Sequence, residues 1–239
     1  MTTEPDRSSR RDFVTDVGRL ASVVALTACV NPRHAPRPGQ LLAPPSTHAA
    51  APAGKWDLSW IDRLATATDR AVFDWPAMED PEDSTTLDHA ARYLDNCEAA
   101  YEPGTYEARV VLTIRARAVP TALTDAAWQH HALGVEYNVK DPVTHQPAVR
   151  NPFWHRAPGP ITAVTPPTLE DLVRRGAIVL VCDFALGHLA KRLATKSGRD
   201  VDEVRRELRG EFVPNSFAVP SGIFGLVRAQ NAGCAYVRA

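Results

Sequence analysis

The sequence predicts an α/β domain, a single five-stranded, mostly parallel sheet flanked by helices. Three observations carry this. First, Arg109-Val110-Val111-Leu112-Thr113-Ile114 and Ala177-Ile178-Val179-Leu180-Val181-Cys182 are β-branched, continuously apolar runs, the pattern of strands covered on both faces. Second, such runs alternate with helical patterns that begin at capping residues, as βαβ crossovers require. Third, turn residues punctuate the junctions, with Pro103-Gly104, Arg175-Gly176 and Ser197-Gly198 each closing a helical stretch.

In chain order, Trp56 to Leu64 reads as a short amphipathic segment of one or two helical turns. Arg70-Ala71-Val72-Phe73-Asp74 is a short strand that stops before Pro76. Thr86 is positioned to cap a helix from Leu87 to about Tyr101, with Leu87, Ala90, Ala91 and Leu94 on one face. After the strand at 109–114, Pro120 is placed to open a helix reaching His131. Thr168 with Glu170-Asp171 starts another, and the strand at 177–182 leads into a helix from about Ala185 to Thr195. Asp200 caps Val201 to Arg209; Phe217 to Pro220 is a strand, Gly222 to Asn231 a helix, and Ala235 to Val237 the last strand. Residues 134–167 carry Pro142, Pro147, Pro152, Pro158, Pro160, Pro166 and Pro167 and read as a long insertion, with Asn151-Pro152-Phe153-Trp154 as a lid, a partner-docking element or a cover over apolar surface.

The N-terminal residues read as an address rather than a fold element. Ser9-Arg10-Arg11-Asp12-Phe13 precedes the apolar stretch Leu20 to Ala28, the order expected of a twin-arginine export signal. That stretch is shorter than the ~20 residues a bilayer span needs. It ends in Leu26-Thr27-Ala28-Cys29, a lipobox-like sequence in which Cys29 is lipidated after cleavage; Ala49-Ala50-Ala51 is the rival processing site. The segments are therefore a signal with lipobox at 1–29, a Pro/Ala-rich tether at 30–55 and a globular domain at 56–239. A net charge of −1 without a basic cluster excludes nucleic acid as an expected partner. Of the four cysteines, Cys97, Cys182 and Cys234 remain once Cys29 is lipidated. That odd number requires at least one free thiol, a Cys97–Cys234 bridge being one arrangement, and the wide spacing matches no zinc motif.

In parallel sheets the working site lies beyond the carboxyl ends of the strands. That rule selects Asp74, the Arg115–Arg117 stretch, Cys182-Asp183 and Ser221-Gly222. Cys182 sits where a strand meets a helix N-terminus, which favours a thiolate, while the adjacent Asp183 opposes it; the alternative is a small buried apolar residue. Arg115 and Arg117 alternate onto one side and form a candidate clamp for a carboxylate, sulfate or thiosulfate-like anion, or else surface ion pairs. His188 lies six residues after Cys182, a candidate base or metal or haem ligand, or a half-buried structural histidine. Ser221-Gly222 caps the next helix and offers an anion site. His130-His131 close a helix and read as structural; His145 and His155 lie in the insertion.

The C-terminal half also resembles a known family. Arg175-Gly176 followed by Ala177-Ile178-Val179-Leu180-Val181-Cys182, and the closing block Val219-Pro220-Ser221-Gly222, Leu226-Val227-Arg228-Ala229-Gln230 and Gly233-Cys234-Ala235-Tyr236, are similar to the DsrE/DsrF-like proteins. The resemblance implies a five-stranded α/β fold, often oligomeric, in which a cysteine at the position of Cys182 carries a persulfide. The leading functional expectation is thus an exported protein that binds or relays a sulfur species through Cys182, with no cofactor, a small sulfur-containing anion as partner, a homo-oligomeric state and a membrane surface reached through Cys29. The alternatives are a non-catalytic assembly module that presents the 134–167 insertion to a partner, and a metal or haem protein using His188.

Overall fold

The computed structural model describes residues 55–156 and 165–238. The export signal, Cys29 and the tether up to residue 54 lie outside the described residues, as do residues 157–164 of the insertion. Among the described residues, no helix is long and apolar enough to cross a membrane.

Strands β1 (Asp69–Trp75), β2 (Ala108–Ile114), β3 (Ile178–Cys182), β4 (Ser216–Val219) and β5 (Ala235–Arg238) form one sheet in the order β4-β3-β2-β1-β5. Every neighbouring pair is parallel. The helices between them are α1 (Thr85–Ala100), α2 (Asp125–His130), α3 (Leu133–Tyr137), α4 (Leu169–Arg174), α5 (Asp183–Ser197), α6 (Val201–Gly210) and α7 (Gly222–Asn231). Two 3-10 helices, Ser59–Leu64 and Ala116–Ala122, complete the set among the described residues.

Side chains of successive strand residues alternate between two separate cores, as the pleat dictates. Phe73, Trp75, Leu112, Ile114, Val179 and Val181 face the larger core with α1, α4, α5 and α6. Val72, Val111, Ile178, Leu180 and Val219 face the smaller one, closed by Trp60, Ile61 and Leu64 of the first 3-10 helix and by Ala229 of α7. The division follows from handedness. From β1 to β4 the chain advances in one direction, so right-handed crossovers stack their helices on one face. The step from β4 back to β5 reverses that direction and lays α7 on the opposite face. Strands β3 and β4 are neighbours whose following helices leave to opposite faces, which opens a crevice at their carboxyl ends.

Most local expectations hold, with two corrections. Ser84 rather than Thr86 caps α1: its hydroxyl accepts the Leu87 N–H at 3.4 Å, while Thr86 donates to Glu79. Pro120 does not open a helix. It lies inside the 3-10 helix, and Thr124 caps α2 by accepting from Ala127 N–H. The described part of the 134–167 insertion covers apolar surface, one of the readings offered for it. Phe153 is 1% exposed and packs edge-on against Trp75 at 6.0 Å and near Trp128 at 6.4 Å. Asn151 is buried and donates to Thr121 O and Leu123 O at 2.8 and 2.7 Å, which fixes the segment to the connection after β2.

Candidate functional site

The crevice predicted from topology is a cavity of about 470 Å³. Arg115 and Arg117 reach it from the end of β2, Cys182 from the end of β3, His188 from α5, and Ser221 and Gly222 from the start of α7. These six candidates share one cavity, whereas Asp74 and Asp183, also selected by the strand-end rule, do not line it.

Cys182 is the N-cap of α5: its Sγ accepts the Ala185 N–H at 3.4 Å, and the residue is 5% exposed. Ser221 is the N-cap of α7, its Oγ accepting the Phe224 N–H at 3.2 Å. Two helix N-termini therefore converge on one cavity, each bringing unpaired N–H groups and the positive end of a dipole. Asp183 does not line the cavity. Its carboxylate is 3% exposed and turns toward α6, where Arg205 and Arg209 (2.6 Å from Arg209 Nε) pair with it.

The two arginines do not form the expected clamp. Ala116 between them adopts φ +49, a left-handed conformation that breaks the alternation. Arg115 is held on Asp74 by two hydrogen bonds, Nε to Oδ1 at 2.6 Å and Nη2 to Oδ2 at 2.8 Å. Asp74 is 5% exposed, and the Tyr236 hydroxyl of β5 donates to the same carboxylate at 3.2 Å. The hydrogen bond to Asp74 raises the Arg115 pKa further, and burial with the adjacent Asp74 raises that of Tyr236. Asp74 thus fixes Arg115, which lines the cavity and gives two of its N–H donors to that carboxylate. Gly222 exists because of that side chain. A Cβ there would lie 2.6 Å from Arg115 Cβ and 2.7 Å from its Cδ, contacts no side chain tolerates. Arg117 is exposed and forms no ion pair among the described residues, so it remains free to meet an anion.

His188 is exposed, with its ring edge-on to Phe184 at 4.8 Å. It belongs to no cluster of metal-ligating side chains among the described residues. Among the cavity residues not singled out from the sequence, Phe184, Tyr137 and Arg192 carry aromatic or charged groups. The Arg192 guanidinium lies 4.9 Å over the Tyr137 ring and donates to its hydroxyl. Burial pushes the Tyr137 pKa up against the pull of Arg192, so the phenol stays protonated. A readable signal existed for two of them. Phe184, His188 and Arg192 recur every four residues, one stripe along α5. Tyr137 comes from the insertion and carried no such pattern.

The other two thiols, Cys97 and Cys234, lie away from the cavity and are buried and free rather than bridged. No family model matches the chain, and no curated protein does. Among solved structures it aligns with a protein of unknown function, MTH1491 from Methanobacterium thermoautotrophicum, at 16% identity over 72% of this chain and 99% of that one, with a TM-score of 0.36. A likeness so loose carries no argument about activity.

Proposed function

We propose that this cavity binds a small sulfur-containing anion and that Cys182 carries its sulfur, in the manner of the DsrE-like proteins that the closing sequence block resembles. One observation supports the reading above others: Cys182, the N-cap of α5, lines one cavity together with the N-terminus of α7 and with Arg117, which has no ion pair among the described residues. Thiosulfate illustrates the chemistry. The Cys182 thiolate attacks the outer sulfur, the S–S bond of thiosulfate breaks, and sulfite leaves with the bonding pair, so that Cys182 becomes a persulfide anion. An acceptor thiolate then takes the outer sulfur and restores Cys182. The helix ends and Arg117 oppose the charge of the incoming and leaving anions. Arg115, fixed by Asp74, lines the same cavity.

Intact-protein and peptide mass spectrometry after incubation with thiosulfate or polysulfide tests this. The expected result is one added sulfur atom on Cys182, absent in Cys182→Ser and absent from Cys97 and Cys234. No added sulfur on Cys182 with either donor would overturn the relay. Phe153 and Trp154 are buried in the protein's own core and so add no docking surface to the alternative assembly role of the insertion. A haem or metal role for His188 lacks a supporting cluster of protein ligands among the described residues.

A further inference from the structure

A second group of side chains lies apart from the Cys182 cavity. His130 is the last residue of α2, His131 caps that helix, and Glu207 stands on α6. They share a groove with Leu193, Lys196 and Arg199. Nε2 of His130 and Nε2 of His131 approach the same carboxylate oxygen, Glu207 Oε1, at 3.3 and 3.2 Å. The other oxygen, Oε2, accepts from Arg199 at 2.7 Å, which fixes the carboxylate and leaves Oε1 toward the histidines.

Two features point to an absent ligand rather than a finished hydrogen-bond network. The His131 side chain is 7% exposed, and its Nε2 is sealed from solvent with no hydrogen-bond partner despite its nearness to Glu207. A buried ring nitrogen left so calls for an occupant. The spacing also suits one: a tetrahedral zinc ion bound at ~2.0–2.1 Å holds its ligand atoms about 3.3 Å apart, and the three ligand atoms here all lie within 4.8 Å of one another.

We propose that His130, His131 and Glu207 form a binding site for a divalent transition metal of the zinc type. Two imidazoles and one carboxylate disfavour calcium and magnesium, which take oxygen ligands. Three protein ligands leave a fourth position, open to the groove, for water or a small anion. Arg199 is a positioning residue that acts through Glu207, and Lys196 is already paired with Glu136. The site ties the end of α2 to α6, two elements 76 residues apart in sequence at His131 and Glu207 (207 minus 131).

The test is titration of the full chain, free of any histidine tag and stripped with a chelator, with Co2+ and then Zn2+. One equivalent of Co2+ with visible ligand-field absorption, displaced by Zn2+, is expected. His130→Ala changes an exposed side chain and leaves the core intact; it and Glu207→Gln should each weaken binding about tenfold or more, with unchanged circular dichroism. Cys182→Ser should bind as the wild type does. No saturable binding, binding undiminished in both variants, or binding lost only in Cys182→Ser would overturn the site.

Discussion

At the scale of single residues, the three thiols among the described residues meet two kinds of environment. Cys182 faces the cavity, whereas Cys97 and Cys234 are enclosed. Burial pushes the Cys234 thiol up to about 11, against a smaller opposing pull from Arg70. The folded protein then keeps this proton at a pH where the unfolded chain has released it. Stability is unaffected at neutral pH and is lost as pH rises from the ordinary thiol range through about 11. The loss should be on the order of 2–3 kcal/mol, read as a fall in the urea midpoint between pH 8 and pH 11 that Cys234→Ala reduces. An unchanged slope in that variant would refute the assignment. The fate of Arg115 was not legible at this scale. Its partner Asp74 lies 41 residues away, and only the parallel register of β1 with β2 brings them together.

At the scale of elements, what was legible was what is local. Asp200, Ser221 and the Thr168 capping box set the starts of α6, α7 and α4, because a cap acts within three residues of its own backbone. Strands β2 and β3 were readable because burial on both faces leaves an uninterrupted apolar run. Which of the three readings of the insertion holds was not legible, since prolines describe local backbone freedom and say nothing of tertiary burial. Asn151 and Phe153 are held by the core and not by their neighbours. Phe153→Ala should therefore cost about 3–5 kcal/mol, as a deleted core aromatic does. Chemical denaturation decides between this and a docking arm, for which stability would stay within experimental error.

At the scale of the whole molecule, the class of fold was legible from alternation, but the strand order was not. Alternation predicts crossovers without saying where the chain reverses. The reversal after β4 places the cavity, because it sends α5 and α7 to opposite faces. The polarity of the sheet, with every strand parallel, gathers all the strand-end candidates at one edge. We propose that this domain is exported and held at a membrane surface through lipidated Cys29, with the Pro-rich residues 30–55 as tether. Cys29→Ser should move the protein from the membrane fraction to the soluble fraction and abolish incorporation of labelled fatty acid. Retention in the membrane fraction with no label on the wild type would refute the anchor.

Tyr236 gives the cavity a schedule. Its wall residues span Arg115 to Ile223, yet the hydroxyl that completes the Asp74–Arg115 arrangement comes from β5, threaded in beside β1 at the far edge of the sheet. During synthesis, at ~5–20 residues per second, the earlier strands can associate first while that arrangement waits for residue 236 to emerge. A chain clipped after Gly233 would carry every cavity side chain and still lack the third member that steadies the wall.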